Sequence, residues 1–221
     1  MSEILLNMDW AEIGLASADT LLMLGGALLF TGLLGLPLGV LLFLLDRGQL
    51  LDSPRAYGLL SLLVNVLRSL PFVILLILLI PFTLAVTGTS LGVAGAIPPL
   101  VVGATPFFAR LVEAALRGVD RGVVEAGQAM GASPRQIVSQ ALLPEALPGI
   151  LSALTVTAIT LVGYTAMSGV IGGGGLGDLA IRFGYQRFQT EVMLVTVALL
   201  LILVQLLQML GDWAVRRLNH R

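Results

Sequence analysis

The longest stretch of the chain without a charged residue runs from Ser69 to Ala109 and contains 41 residues. As a single helix with a rise of about 1.5 Å per residue it would be about 60 Å long, about twice the hydrocarbon thickness of a bilayer. The stretch must therefore fold back. The only polar, glycine-rich point near its middle is Thr-Gly-Thr-Ser-Leu-Gly at 87–92, so the sequence predicts two membrane spans joined by a turn there.

The composition requires a membrane protein, because 57% of the residues are hydrophobic and 11% are charged, against about 25% charged in a soluble domain. We predict an all-α fold with one transmembrane domain over residues 1–221. The acidic N-terminus, with Glu3 and Asp9 and no base, lacks the positive start of a signal peptide, so the first span is expected to be retained. Long apolar stretches, free of charge or with charges only near one end, predict five spans, at about 20–45, 61–86, 91–115, 147–171 and 192–211. Arg68, near the start of the second span, is expected to reach the cytosolic interface with its side chain.

Several classes of function are excluded by what the sequence lacks. There is no Cys and the only His is His220, so disulfides, thiolate chemistry and zinc or redox centres are not expected. The formal net charge is −1, and every basic residue is Arg. Because no basic surface is indicated, we expect no nucleic-acid partner.

The arginines set the predicted orientation of the spans. Two of them, Arg182 and Arg187, fall on one side of the five-span arrangement, and the other ten fall on the opposite side. The positive-inside rule then predicts the N-terminus outside and the C-terminus in the cytosol. The ten are Arg47, Arg55, Arg68, Arg110, Arg117, Arg121, Arg135, Arg216, Arg217 and Arg221.

The predicted cytoplasmic segment at about 118–146 contains signals for two short helices. Gly131 can take the left-handed conformation that ends the first helix. Ser133 and Gln136 form an S-x-x-Q capping box for the second, and Pro134 suits its first position. Pro144 is expected to end that helix. These features fit either a rigid projection into the cytosol or an amphipathic element packed against the bundle.

The residues of this segment resemble the EAA loop of binding-protein-dependent ABC importers. The resemblance rests on Glu125-Ala126, then Gly131, Ile137 and the pair Leu143-Pro144, with Gly127 where the pattern usually has a second Ala. In that family the loop is the coupling helix, which docks into a groove on a separate cytosolic ATPase. The resemblance therefore implies a coupling role for Glu125, Ala126, Gly131, Ala132, Ser133, Pro134 and Ile137.

The chain has no ATP-binding loop of its own. Its glycine run at 172–177 is followed by Asp178 and not by the Lys of a phosphate-binding loop. We therefore expect no cofactor in this chain, and ATP with Mg²⁺ on a partner ATPase.

Four further stretches, at 65–72, 88–92, 144–149 and 161–169, are similar to the permease subunit of methionine importers, and the similarity extends over nearly the whole chain. It implies a five-span homodimer in the bacterial inner membrane, bound to two cytosolic ABC ATPase subunits. It also implies an extracytoplasmic methionine-binding lipoprotein as a partner.

Span four carries a row of hydroxyl groups, from Thr157, Thr160, Tyr164 and Ser168, with Met167 beside the last of them. Their spacing of 3, 4 and 4 residues places them on one helical face. This face is a candidate lining of a translocation path, with Met167 as a candidate plug. Hydrogen bonding to the carbonyls of the same helix, or packing against neighbouring helices, explains the hydroxyls equally well.

Two other groups of residues are singled out. Arg110, Glu113 and Arg117 share a helical stripe and are expected to neutralise one another near the membrane interface. The glycines of 172–177 predict an irregular turn, either one that lets the backbone approach a second protomer or a docked binding protein, or a plain flexible turn.

The sequence as a whole predicts a permease subunit of an ATP-driven amino-acid importer, with methionine selected by the resemblance alone. The rival interpretation is a self-sufficient secondary transporter or channel, which would need buried acidic residues to carry a coupling ion. An intramembrane enzyme is disfavoured, because neither H-E-x-x-H nor G-x-S-x-G is present.

Overall fold

The structure is a computed structural model that describes residues 9–218, so Glu3, His220 and Arg221 lie outside it. Within the described residues all regular structure is helical, which confirms the all-α prediction. The α-helices are α1 (Trp10–Leu45), α2 (Pro54–Ser69), α3 (Phe72–Leu78), α4 (Ile80–Thr87), α5 (Gly92–Arg117), α6 (Arg121–Ala129), α7 (Pro134–Ile137), α8 (Leu143–Ser168), α9 (Gly175–Leu179) and α10 (Thr190–Leu218).

The number of helices that can cross a membrane matches the predicted five spans if one broken pair is counted. Among the described residues, four continuous helical stretches are long and apolar enough: Trp10–Leu45, Gly92–Arg117, Pro134–Ile171 and Thr190–Leu218. The fifth is the pair α2 and α3, between which the chain bends by 103°. The sequence predicts span two as one stretch over 61–86, but the structure interrupts it before Pro71, whose ring supplies no backbone N–H to continue α2.

The ends of the elements follow local chemistry. Asp9 starts α1 ten residues before the predicted span, because its carboxylate accepts hydrogen bonds from the N–H groups of Ala11 and Glu12 at 3.0 and 3.1 Å. A break between two helices lies at 87–92, where the sequence predicts a turn: Gly88 ends α4 with φ 74°, and α5 begins at Gly92.

The expectation that Pro144 ends the second short helix is wrong. A π-helical turn over Val138–Leu142 joins α7 to α8, and the helix runs on from Pro134 to Ile171. Within this turn the N–H of Leu143 donates to the carbonyl of Val138, five residues back. The wider turn accommodates Pro144, which has no N–H to give.

The chain divides into two compact units that alternate along the sequence. Among the described residues, the first unit comprises 9–30, Leu70–Ala104 and Ala158–Gln208. Its main core is built around fully buried Met23, Leu100 and Leu161, with Leu76 beside them. The aromatic rings of Phe72 and Tyr164 stack there with centroids 4.1 Å apart.

The second unit comprises Thr31–Ser69, Thr105–Thr157 and, as far as the structure describes the chain, 209–218. Its larger core joins residues of α1 and α5 to residues 118–146, which we call the coupling segment after the role that the resemblance implies. Phe43, Phe108, Val112, Ile137 and Leu142 are among the members of this core. A smaller cluster of Leu42, Val64 and Ala109 packs α2 against α1 and α5. The α2–α5 contact and the coupling segment therefore belong to one unit.

Candidate functional site

The coupling segment is built from two capped helices and a left-handed glycine. Asp120 caps α6 by accepting from the N–H of Gly122 at 2.6 Å. Gly131 has φ 74°, as predicted. The capping box is present: Ser133 accepts from the N–H of Gln136, whose side-chain oxygen accepts from the Ser133 N–H at 2.8 Å. The turn between α6 and α7 is closed by a separate hydrogen bond, in which the N–H of Ala132 donates to the carbonyl of Gly127 at 3.0 Å.

Gly127, the one departure from the family's loop pattern, lies where α6 and α7 touch. It is buried, and a Cβ built on it would come within 2.9 Å of Ile137 Cγ1. Ile137 is 2% exposed and joins Leu142 and Ala146 in the core of the second unit. The side chain of Ile137 thus occupies the space that the methyl group of an alanine at position 127 would need.

The predicted coupling residues divide into an exposed and a buried group. Glu125, Ala126, Gly131, Ser133 and Pro134 are exposed, Ala132 is half-buried, and Ile137 is buried. Glu125 forms an ion pair with Arg121 at 3.3 Å on the surface.

Sequence reasoning overlooked Met130, which is 80% exposed at the end of α6, next to Gly131. The sequence did contain a signal for this exposure: Gly131 ends α6 in a left-handed conformation, which turns the following chain away from the Met130 side chain. A flexible apolar side chain exposed in a polar turn is suited to contact a partner protein.

A cavity of about 340 Å³ lies beside the coupling segment in the second unit. Its lining combines the chain that follows α1 with the end of α5 and with α6, including Gln49, Leu50, Arg117, Val124 and Gln128. The cavity therefore borders both the coupling segment and the charged end of α5.

Arg110, Glu113 and Arg117 neutralise one another, as predicted. Glu113 is 3% exposed and lies between the two guanidinium groups, at 2.7 Å from Arg110 and 2.6 Å from Arg117. Its Oε1 also accepts from the Tyr57 hydroxyl at 3.1 Å. Arg110 donates further to the carbonyl and hydroxyl of Ser61. The network therefore fastens α2 to α5 through a buried carboxylate.

Asp46, just after α1, extends the network through an ion pair to Arg117 at 2.6 Å. Partial burial opposes ionisation of Asp46, but the backbone N–H of Arg47 and the Arg117 guanidinium outweigh it, so the pKa of Asp46 lies below its ordinary value. Asp46 is consequently a stable anion that anchors the end of α5 at neutral pH.

The glycine run at 172–177 makes its close approaches inside its own chain. The N–H of Leu176 donates to the Thr20 hydroxyl at 2.8 Å, and a Cβ on Gly175 would lie 2.6 Å from that same oxygen. A Cβ on Gly177 would overlap the backbone of Ala166. These glycines are needed because the backbone packs directly on α1 and α8.

Two of the candidate path residues of α8 are fully buried. The hydroxyl of Thr157 donates to the carbonyl of Ala153, and the hydroxyl of Ser168 donates to the carbonyl of Thr165. Both hydroxyls are therefore satisfied by the backbone of their own helix, as the packing interpretation expects.

The other three candidate path residues are more open. Thr160 and Tyr164 are half-buried, and the Tyr164 ring stacks on Phe72. Met167 is 45% exposed. A role for these side chains in a path stays a prediction, and Met167 is the one whose side chain is largely open.

Comparison with known proteins identifies related chains. Residues 35–221 match the family described as binding-protein-dependent transport system inner membrane component. The chain is 46% identical to a probable D-methionine transport system permease protein, MetI, of Vibrio cholerae, covering 100% of this chain and 94% of the relative. It is 45% identical to the methionine import system permease protein MetP of Bacillus subtilis, covering 97% of each.

A solved structure shares the fold. It is an inward-facing conformation of the MetNI methionine ABC transporter, to which this chain is 47% identical, with a TM-score of 0.92, and the match covers 94% of this chain and 96% of the other.

Proposed function

The chain belongs to the family of binding-protein-dependent transport system inner membrane components, and from this premise we propose that it is the permease subunit of an ATP-driven methionine importer. The observation that carries the proposal is the combination of full-length similarity to methionine permeases with a rigid, solvent-exposed coupling segment. The chain does no covalent chemistry. It provides the membrane path, and ATP with Mg²⁺ is bound and hydrolysed by partner subunits.

The coupling segment is the surface for the ATPase. Its exposed residues Glu125, Ala126, Ser133 and Pro134, with Met130 at the tip, form the contact. Because the helix continues from Pro134 through α8, a displacement of the segment by the ATPase moves that whole helix. ATP-driven closure is in this way converted into reorientation of the spans.

The path lies at a homodimer interface, with two ATPase subunits on its cytosolic side. Five spans do not divide into two matching halves, so a central path is formed more simply between two copies about a twofold axis. Met167 faces this path. The same helix carries four hydroxyl groups beside or behind Met167, those of Thr157, Thr160, Tyr164 and Ser168. Weak polar contacts next to apolar walls suit the passage of a thioether and a zwitterion.

The orientation follows from the arginines, with the N-terminus outside and the coupling segment in the cytosol. A methionine-binding lipoprotein delivers the solute at the outer face. The lipoprotein is assigned as a partner because the family depends on binding proteins.

A secondary transporter is the alternative, and the contacts of the buried Glu113 carboxylate argue against it. Among the described residues of the spans, Glu113 is buried but held between two arginines. An ion-coupled carrier needs a carboxylate that is free to bind the coupling ion, whereas both carboxylate oxygens of Glu113 already accept hydrogen bonds from neighbouring side chains.

Co-expression with the ATPase subunit tests the assignment as a subunit. We expect the purified complex to contain two copies of this chain and two ATPase subunits by native mass spectrometry. The variant Met130→Arg, at the tip of the coupling segment, is expected to dissociate the complex. Leu51→Arg, at another exposed apolar residue that lies between α1 and α2, is the matched control. Purification of the wild-type chain without any ATPase would contradict the proposal.

A further inference from the structure

The cavity beside the coupling segment has the size and the lining of a binding site. Its volume of about 340 Å³ lies within the range of about 300–1,000 Å³ that is typical of ligand pockets. Its apolar floor belongs to the larger core of the second unit, since Phe43, Leu116 and Leu142 are each at most 4% exposed. A packing defect would be far smaller, because protein interiors contain few voids larger than a water molecule.

The charged groups that line the cavity are already paired. Arg117 is 2.6 Å from Asp46 and 2.6 Å from Glu113. Arg121 is paired with Glu125 at 3.3 Å. Because each guanidinium and each carboxylate of the lining has a counter-charge, the lining favours an uncharged occupant over an ion.

Two amide side chains of the lining are unsatisfied. Gln49 and Gln128 form no side-chain hydrogen bond within residues 9–218. Gln49 is half-buried in the turn after α1, and Gln128 is exposed on α6. Since an amide group can both donate and accept, the cavity combines an apolar floor with free hydrogen-bonding groups. This combination suits an apolar group that ends in a polar tip.

One flank of α6 borders the cavity. The α6 residues of the lining are spaced by 3, 1 and 3 positions and share one helical face: Arg121, Val124, Glu125 and Gln128. Ala126, which belongs to the proposed ATPase contact, is exposed on the other flank of the helix. An ATPase groove that receives α6 would cover both flanks and close the mouth of the cavity. Because the core of an interface is packed as densely as a protein interior, the closed cavity must be filled.

Water alone fills such a space poorly, because an ordered buried water needs about two to four polar partners and the floor of the cavity is apolar. We propose that the cavity is a socket that receives one uncharged aromatic side chain, with a hydrogen-bonding tip, from the ATPase subunit. The socket rests on the proposed function. Tyrosine and tryptophan combine a large ring with such a tip, and they are enriched among the residues that dominate the binding energy of interfaces.

The socket gives the ATPase a second hold on the permease, at the turn after α1. This turn is tied to α5 by the ion pair between Asp46 and Arg117. It is tied to α1 by the N–H of Leu51, which donates to the carbonyl of Leu44 at 3.0 Å. A displacement of the inserted side chain therefore acts on α1 and α5, whereas a displacement of the coupling segment acts on α8.

Filling the socket from within tests the proposal in the permease–ATPase complex. Val124→Phe places a ring in the cavity, and Val124→Ala leaves the cavity open. The rate at which a fluorescently labelled ATPase subunit exchanges into the purified complex is measured for both. The Phe variant is expected to exchange at least about tenfold faster than the wild type, as after loss of a dominant interface residue. The Ala variant is expected to exchange at nearly the wild-type rate.

Val40→Phe is the matched control, because Val40 packs on the same core but does not line the cavity. It adds the same bulk to the core and is expected to leave the exchange rate unchanged. Equal rates for Val124→Phe and the wild type, or equal acceleration by both Phe variants, would overturn the proposal. A wild-type chain that retains no ATPase would instead refute the proposed function.

A second measurement leaves the cavity open. Gln49→Cys places a thiol in the cavity wall outside the coupling segment, and the chain has no other cysteine. In membranes that are open to the reagent, N-ethylmaleimide is expected to label this cysteine severalfold more slowly when the ATPase is co-expressed than when it is absent. Leu51→Cys, exposed in the same turn but outside the lining, is expected to be labelled equally in both membranes.

Alanine substitutions of the ATPase aromatic residues, one at a time, then identify the inserted side chain. One of them is expected to restore rapid labelling at position 49 while the complex stays assembled. Equal labelling at position 49 with and without the ATPase, whether fast or slow, would refute the socket. Protection that survives every aromatic substitution would refute the assigned occupant.

Discussion

Individual residues of the second unit have roles that depend on backbone conformation or on burial. Gly131 is left-handed, and the position that a methyl group would take there has no atoms within 4 Å, so its requirement is conformational and not steric. Glu113 is the opposite case, because its carboxylate is buried and holds two arginines. Substitutions at these two positions therefore test two different effects, backbone strain at Gly131 and the burial of a charged group at Glu113.

We predict that Gly131→Ala destabilises the coupling segment and that Gly131→Asn does so less. A left-handed conformation costs an L-residue about 1–2 kcal/mol, and Asn tolerates it best. ATPase activity stimulated by the binding protein should fall for the Ala variant and be largely kept by the Asn variant. Indistinguishable activity of Ala, Asn and wild-type complexes would show that the conformation of Gly131 is unimportant.

Glu113→Gln is predicted to lower stability strongly, because it leaves Arg110 and Arg117 without their shared carboxylate. Removal of one partner of a buried ion pair costs about 3–5 kcal/mol. Glu125→Gln is the matched control, since the Arg121–Glu125 pair is exposed and such pairs contribute at most about 1 kcal/mol. Thermal unfolding of the purified complexes measures both changes, and similar midpoints for the two variants would contradict the network.

At the scale of elements, the sequence predicts the features that depend on local signals and misses those that depend on distant ones. The turn at 87–92, the left-handed Gly131 and the Ser133–Gln136 capping box each involve residues a few positions apart. The continuation of the helix past Pro144 is missed, because a π-helical turn gives no signal in hydrophobic periodicity. The packing of the glycine run on Thr20 is missed because the two segments are far apart in sequence.

The glycine run leads to an element-scale prediction. Gly177→Ala places a methyl group against the backbone of Ala166, which cannot yield as a side chain does, so the segment must shift. Gly25→Ala in α1 has nothing within 4 Å and should be neutral or stabilising by up to about 1 kcal/mol. Thermal unfolding is expected to separate the two variants clearly, and an unchanged midpoint for Gly177→Ala would disprove the close packing.

For the whole molecule, much of the apolar surface requires lipid or a partner to cover it. In helix α10 the only fully buried residue is Thr196. One side of the helix packs on the cores of the first unit through half-buried residues such as Val195 and Leu203, while its exposed apolar residues, among them Leu201 and Leu206, are left for hydrocarbon or another subunit. The family and the helical spans agree with a multi-pass membrane permease. The direction in which the chain is inserted into the membrane is predicted from the distribution of the arginines alone.

Single-cysteine labelling tests this direction. Ser139→Cys in the coupling segment and Gln186→Cys before α10 are both exposed positions, and the chain has no other cysteine. An impermeant thiol reagent applied to intact cells should label position 186 and spare position 139 until the membrane is opened. Labelling of position 139 in intact cells would contradict the predicted orientation.

The central claim is that this chain conducts methionine only when a partner hydrolyses ATP. Radiolabelled methionine uptake into proteoliposomes that contain the chain, its ATPase and the binding protein tests it most directly. We predict uptake that requires ATP on the side of the ATPase, is unaffected by collapse of ion gradients, and is lost when the ATPase is omitted. Uptake by the chain alone, driven by a proton or sodium gradient, would contradict the claim.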